Sequence, residues 1–338
     1  MDNSIILEDI DEIWGEIDLS ELQGKSVLIT GATGLIGTYL VYSLLKLNQI
    51  AAQKVTIRII THNGLPSHLE HLAAEKNFEI YQGDLSEFAF CASLPESDYI
   101  IHAAGYAQPR KFVEDKVKTI RLNTQMTDIL LSKLKLDGKF LFVSSSEIYS
   151  NAKDFPTKET TCGLTMPDHP RACYIEGKRC GEAICHAWNA AGKTAKIARV
   201  SLAYGPGIRP ADGRVLYNFI QKGVAGKINL LDAGTAGRTY CYISDNVSNL
   251  WNILLRGKEV TYNVGGISHA TIRELAETVG EILNAPVVVP QVEEGLSGAP
   301  QEVALNIDKT RNEFGKTNYK SLREGIERTV KWYLANIH

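Results

Sequence analysis

Apolar residues along this chain come alternately in short unbroken blocks and at helical spacing. The block Ser26-Val27-Leu28-Ile29-Thr30 shows no polar alternation, as a strand buried on both faces requires. Apolar positions at a period near 3.6 follow it, from Leu35 to Leu47. The same pairing continues with strand Val55–Ile60, a helix-like stretch near His68–Glu75 and a short strand Phe78–Tyr81. Strand Tyr99–His102 then precedes a long predicted helix over Lys116–Leu134. Strand Lys139–Ser144, helix Ala172–Ala191 and strand Ala195–Val200 close the pattern. Strands alternating with helices imply right-handed crossovers, so the pattern predicts an α/β fold with a doubly wound parallel sheet.

After Gly205-Pro206 the rhythm breaks. The segment Gly205–Gly237 is rich in Gly, Pro and Asp and carries one predicted helix, Val215–Lys222. A helix over Ser244–Leu255 and a strand over Val260–Val264 are expected to return to the sheet. Residues 266–338 read as two or three helices with a Pro-rich bend from Ala285-Pro286 to Pro300. The predicted organisation has three parts. Residues 1–23 form a helical extension, packed by its amphipathic stretch 5–22 on the domain or on a sister subunit. Residues 24–204 form the main domain, with 239–264 returning to it. Residues 205–238 and 265–338 form a smaller α/β lobe over the carboxyl ends of the strands, where ligands bind in such sheets.

Composition narrows the class. The 338 residues suffice for one large core or two modest domains, and 44% hydrophobic with 22% charged residues is ordinary for a soluble globular protein. A net charge of -3 supplies no electrostatic reason for a nucleic-acid partner. No apolar run approaches the roughly 18 residues of a membrane span. The acidic start Met1-Asp2-Asn3 does not read as a signal peptide, so a cytoplasmic protein without a membrane partner is expected. The six cysteines form no Cys-x-x-Cys pair and the eight histidines show no ligand spacing, so reduced thiols and no metal site are expected.

Candidate chemistry begins at the first strand–helix turn, Gly31-Ala32-Thr33-Gly34-Leu35-Ile36-Gly37. There missing side chains let the backbone approach a pyrophosphate, whose charge the helix dipole favours. Gly-x-x-Gly-x-x-Gly is not the Gly-x-Gly-x-x-Gly fingerprint, so the reading rests on the strand before and the helix after. The second strand ends Thr61-His62-Asn63, with neither the acid that holds an adenosine ribose nor an arginine beyond it. NAD is preferred and NADP stays open. Asp84 and Leu85 could border the adenine or form a turn, and Ala103-Ala104-Gly105 suit close passage of a cofactor. Ser144, Ser145 and Ser146 end a central strand ahead of Glu147. Tyr174 and Lys178, four residues apart, share a helix face, so the ammonium is expected to lower the phenol's pKa. Lys178 could also reach a nicotinamide ribose, and Asn123 could support a proton path or simply pack its helix.

These residues together resemble the extended short-chain dehydrogenase/reductase family, the NAD-dependent epimerases and dehydratases of nucleotide sugars. The resemblance covers roughly residues 24–335 and also draws on Gly83-Asp84-Leu85, His102-Ala103-Ala104, Asn123-Thr124, Tyr204-Gly205-Pro206 and Arg238. It implies a Rossmann-type domain, a lobe for a nucleoside-diphosphate sugar, a homodimer through two helices of each subunit, and oxidation at the sugar C4 by Ser145, Tyr174 and Lys178. The nearest look is to UDP-glucuronate decarboxylases, through Ser145-Ser146-Glu147-Ile148-Tyr149 and the run Pro170 to Arg179. By the same resemblance Arg214, Val215 and Asn218 contact the nucleotide, Arg238 the phosphates, and Glu147 positions the sugar or handles a proton at C5.

The chain departs from that pattern at three places. Leu202 stands for the family's Asn, Ser150 for its Gly, and Gly298-Ala299-Pro300-Gln301-Glu302 for an Arg-x-Pro-Asp signature. Alternative outcomes of the same C4 chemistry are 4-epimerisation, 4,6-dehydration and 4-dehydrogenation or ketoreduction. A non-catalytic dinucleotide-binding protein is the reading of a different class.

Overall fold

Five consecutive buried residues, Ser26–Thr30, form strand β1 in the computed structural model, which describes residues 2–106, 108–208, 212–290 and 301–337. Helix α1 (Ser4–Glu16) precedes it and α2 (Leu35–Ile50) follows. Then come β2 (Thr56–Thr61), β3 (Phe78–Gln82), α3 (Phe88–Ser93), β4 (Ser97–His102) and α4 (Pro109–Glu114). Helices α5 (Lys116–Asn123) and α6 (Gln125–Ser132), strand β5 (Leu134–Ser145), helix α7 (Ala172–Ala190) and strand β6 (Thr194–Val200) complete the expected alternation. The stretch near His68–Glu75 is a 3₁₀ helix, Ser67–Ala74, rather than an α-helix.

The second half adds β7 (Leu202–Tyr204), α8 (Val215–Val224), β8 (Ile228–Asn229), β9 (Gly237–Tyr242) and α9 (Ile243–Arg256). It continues through β10 (Thr261–Val264), β11 (Ser268–Thr271), α10 (Ile272–Leu283) and β12 (Val287–Val288). It ends with β13 (Glu302–Val303), α11 (Asp308–Phe314) and α12 (Leu322–Asn336). Part of the Pro-rich bend, including Gly298-Ala299-Pro300, lies outside the described residues.

The seven-stranded sheet has the order β10-β6-β5-β4-β1-β2-β3, parallel throughout. Alternate residues of its strands enter two cores. Val27, Ile29, Ile101, Leu141 and Val143 face one side, and Leu28, Ile100, Phe140 and Phe142 the other. The chain leaves β1 toward β2 on one side and returns to β4 on the other, so a crevice opens where the two connections diverge. Register puts Thr30 beside His102 and Ser145 beside Val200 at that end of the sheet.

The expected long helix over Lys116–Leu134 is two helices. Thr124 leaves helical geometry at φ -117°, ψ -82°, and its hydroxyl donates to the Ile120 carbonyl at 2.9 Å, a local bond that competes with the helix ladder. Leu134 is drawn into β5, where it pairs with Ser97 and is 2% exposed. Strand β9 was also not foreseen, because Gly237–Tyr242 continues a glycine-rich stretch. Its ladder comes from distant segments: β7 and β13 run parallel to it and β11 antiparallel. Helix α1 packs on α2 and α9 of its own chain, burying Ile5, Ile6, Asp9, Ile10 and Ile13.

Candidate active site

The turn from β1 to α2 is shaped by missing side chains. Gly31 has φ +70°, and a Cβ there would stand 2.7 Å from the Ala103 carbonyl oxygen, so glycine is what lets the turn cross the end of β4. At Gly37 a Cβ would stand 2.5 Å from the Ala32 Cα, which sets how closely α2 packs. Gly34 differs: its Cβ would meet only the Gly31 carbonyl, at 3.3 Å, a tight contact that a small shift of the turn would relieve. Gly34 is the N-cap of α2 and no side chain caps that helix, leaving the N–H groups of Leu35 and Ile36 for an anion. Thr33 in the same turn is engaged within the protein.

Beside this cradle lies a cavity of about 700 Å³, lined by Ile36, Ala103, Gly105, Ser144, Ser145, Glu147, Tyr174 and Lys178. Next to Gly105, the place a Cβ would occupy is 3.8 Å from both Asn123 Oδ1 and Lys178 Nζ. Asn123 Nδ2 donates to the Thr119 carbonyl at 2.8 Å, while Oδ1 is buried with no hydrogen-bond partner. An orphaned buried carbonyl is costly, so this space fits a ligand hydroxyl. A dinucleotide, with a pyrophosphate at Gly34 and a ribose near Gly105, matches both features.

Other expected cofactor residues have protein partners. Thr61 donates its hydroxyl to the Gly64 carbonyl, and His62 is exposed beyond it. Asp84 accepts from Lys118 Nζ at 2.6 Å and from the Ser86 N–H and hydroxyl at 2.9 and 2.7 Å. Partial burial pushes that carboxyl up, but Lys118 and Ser86 outweigh it and hold it at about 2. Asp84 thus closes a turn, with Leu85 buried behind it. Ala104 donates its N–H to Thr30 Oγ1 at 3.0 Å. The Ser144 hydroxyl is committed to Glu182 Oε1 at 2.5 Å, and Glu182 is paired in turn with Arg199.

Ser145, Tyr174 and Lys178 meet at the end of β5. Ser145 caps the short 3₁₀ helix Ser146–Tyr149 by accepting from the Glu147 N–H at 3.2 Å. Lys178 donates to the Val143 carbonyl at 2.7 Å, with Nζ 5.9 Å from the Tyr174 ring centroid. The expectation that the ammonium lowers the phenol's pKa is not met. Burial pushes Tyr174 up to about 12, with the Ser145 hydroxyl opposing it. Burial also brings Lys178 down to about 7, despite the nearby Glu182 carboxylate. Removing water disfavours both charged forms at once, which sequence spacing does not show.

Glu147 faces the same cavity in an ion pair with Arg171: Arg171 Nε donates to Oε2 at 3.1 Å and Nη2 to Oε1. Arg171 and Phe112 carry no sequence-based assignment. Arg171 lay inside the quoted Pro170–Arg179 run, a signal that could have found it. Nothing local marks Phe112, which reaches the site only because α4 packs there.

On the substrate side, Arg214, Val215, Asn218, Leu202 and Arg238 line the cavity. Arg214 is the N-cap of α8, bound to Asp212 and to the Ala203 carbonyl. Asn218 Nδ2 donates to the Gly213 carbonyl at 2.9 Å. Arg238 sits on β9 and donates to the carbonyls of Gly237 and Gln301, so that Gln301, from the stretch that replaces the Arg-x-Pro-Asp signature, lies beside it. Among the described residues, no group of three or more His, Cys, Asp or Glu side chains is placed to hold a metal, and no helix is long and apolar enough to cross a membrane.

The sequence model of the NAD dependent epimerase/dehydratase family matches residues 27–265. This chain belongs to that family. Among its relatives, UDP-glucuronic acid decarboxylase 6 of Arabidopsis thaliana is 32% identical over 303 residues, covering 89% of this chain and 86% of the relative. UDP-glucuronic acid decarboxylase 1 of Danio rerio is 29% identical over 318 residues, covering 93% and 74%. The fold is that of solved epimerases. An epimerase from Methanothermobacter thermautotrophicus gives a TM-score of 0.79 at 21% identity, covering 99% of this chain and 97% of that one. The UDP-glucuronic acid 4-epimerase of Bacillus cereus, solved with UDP-glucuronic acid and NAD, gives 0.76 at 23%, covering 92% and 99%. In this NAD dependent epimerase/dehydratase family member, the Gly34 cradle and the Asn123–Lys178 space are the features that suit the family's cofactor.

Proposed function

We propose that this protein is an NAD-dependent enzyme that oxidises the C4 hydroxyl of UDP-glucuronate and releases its C6 carboxyl as carbon dioxide. The observation that carries the reading is the meeting of Ser145, Tyr174, Lys178 and Glu147 in one cavity beside the uncapped start of α2. The UDP-glucuronic acid decarboxylases among its relatives support it. NAD supplies a hydride acceptor at C4 that can give the hydride back.

The chain's own groups do the rest. Tyr174 takes the C4 hydroxyl proton while Ser145 hydrogen-bonds the same oxygen. A phenol near 12 needs a cation beside it to release a proton at neutral pH, and Lys178, titrating near 7, provides one when protonated. A C4 ketone lies β to the C6 carboxylate, so carbon dioxide leaves with its bonding electrons passing to the ketone as an enolate, stabilised by Tyr174 and Ser145. Protonation at C5 by a water held at Glu147, with the C4 hydride restored and the proton passed back from Tyr174 to the C4 oxygen, would give a UDP-pentose. A homodimer through α5 and α7 belongs to the same proposal, since Val117 and Ile120 stand 61% and 44% exposed on α5.

Incubation with NAD and UDP-glucuronate tests the reading through carbon dioxide release and formation of a UDP-pentose. UDP-galacturonate without gas release would make the enzyme a 4-epimerase instead. No turnover of any UDP-, GDP-, CDP- or dTDP-sugar would remove the nucleotide-sugar assignment.

A further inference from the structure

We propose that Arg171 is a positioning residue that holds the Glu147 carboxylate and the plane of the Tyr174 ring as one unit. This rests on the reading above, that the cavity takes a nucleotide sugar oxidised at C4. Arg171 is the N-cap of α7, three residues before Tyr174. Its guanidinium grips Glu147 through two donors while its central carbon lies 5.4 Å from the Phe112 ring centroid. Phe112 is 1% exposed and stacks on Tyr174. Glu147, Arg171, Phe112 and Tyr174 thus form a continuous series, and every member lines the cavity.

Two physical effects follow. A guanidinium fork fixes one orientation of a carboxylate, where a lone lysine or water would let it turn. Glu147 therefore presents set oxygens to the sugar ring. Its role is to orient a hydroxyl or a water. The pair also acts on Tyr174 from both sides, Glu147 favouring the protonated phenol and Arg171 opposing it. Losing Arg171 frees the carboxylate and removes that opposition.

The bland reading is that the pair merely ties the end of β5 to α7. One observation stands against it. Nη1 of Arg171 makes no hydrogen bond among the described residues, which leaves it for a ligand.

The full chain with NAD and UDP-glucuronate tests the inference, by following cofactor reduction in a single turnover, steady-state kcat and KM, UDP affinity and Tm. Arg171→Gln should lower kcat by about 30- to 100-fold, with KM and UDP affinity changed less than about threefold. The double variant Arg171→Gln/Glu147→Gln should be no slower than Glu147→Gln alone, because Arg171 works through Glu147. Added guanidinium, far below denaturing concentration, should restore part of the turnover of Arg171→Ala and none of Tyr174→Phe. The inference is overturned if Arg171→Gln turns over like the wild type, or if the single losses multiply in the double variant. It is overturned equally if Tm and UDP affinity fall together with no guanidinium rescue, the mark of a structural role. If wild type reduces no cofactor with any nucleotide sugar, the underlying reading falls first and this one with it.

Discussion

The ring of Phe112 lies flat against that of Tyr174, with centroids 4.7 Å apart and planes 8° from parallel. Because α4 supplies one ring and α7 the other, the phenol cannot swing without moving a neighbouring helix. Replacing the flat ring by a branched aliphatic chain should loosen it. Phe112→Leu is expected to lower kcat about tenfold, the usual scale for a slightly misplaced catalytic group, while NAD affinity stays within about twofold. Calorimetric titration of NAD alongside turnover checks this, and an unchanged kcat would show that the stack does not orient Tyr174.

The glycines of the β1–α2 turn should separate into two kinds. Gly34→Ala brings its methyl to 3.3 Å from the Gly31 carbonyl alone, a contact the turn can relieve by a small shift, so the fold should survive while NAD affinity drops at least about tenfold through disturbed contacts at the helix N-terminus. Gly37→Ala drives its methyl into the backbone of Gly31 and Ala32, so it should unfold or badly destabilise the domain. Thermal melts with and without NAD distinguish the two. Equal melting points for both variants would contradict the packing account.

Lys178 gives stability an unusual pH slope. Its folded pKa, about 7, lies below its ordinary value of 10.5. Between those limits the unfolded chain holds the proton that the folded chain lacks, so unfolding takes one up and this group's contribution to stability rises with pH. Lys178→Met should abolish turnover yet melt higher than wild type at pH 7, with the advantage shrinking toward pH 10. A constant advantage across that range would show that Lys178 is not driven neutral by burial.

Asp9 of the N-terminal helix should behave in the opposite sense. It is fully buried and accepts from Tyr39 at 2.7 Å, Tyr242 at 2.9 Å and Arg328 Nη2 at 2.8 Å, joining α1 to α2, β9 and α12. Burial still pushes its carboxyl up to about 6. Between its ordinary value of 3.8 and about 6 the folded chain holds the extra proton, so this group's contribution falls as pH rises and levels off above 6. Asp9→Ala, which leaves Arg328 without this partner, should cost about 3–5 kcal/mol. Asp9→Asn should show a larger deficit from wild type at pH 4.5 than at pH 7 in urea titrations. A pH-independent deficit would show that the carboxyl keeps its ordinary pKa.

Much of the architecture was legible in the chain because its signals are local. The unbroken apolar block Ser26–Thr30, the glycines at Gly31, Gly34 and Gly37 and the helical spacing after Leu35 specify a buried strand, a tight turn and a helix without reference to distant residues. The i, i+4 spacing of Tyr174 and Lys178 likewise needs only a helix. Where prediction failed, the deciding partner was far away. Leu134 became strand through Ser97, and Gly237–Tyr242 became strand through β7, β11 and β13.

The sequence by itself therefore determined the parallel sheet, the glycine turn between its first strand and helix, and the placing of Tyr174 and Lys178 on one helix. Only the tertiary structure decided that Ser144 turns to Glu182, that Asp84 is held by Lys118, and that Arg171 and Phe112 brace Glu147 and Tyr174. It also set the pKa directions of Tyr174 and Lys178, raising one and lowering the other by burial. The reason is physical: spacing records which residues share a helix face, whereas pKa and orientation depend on which remote segments close over a side chain and how much water they displace.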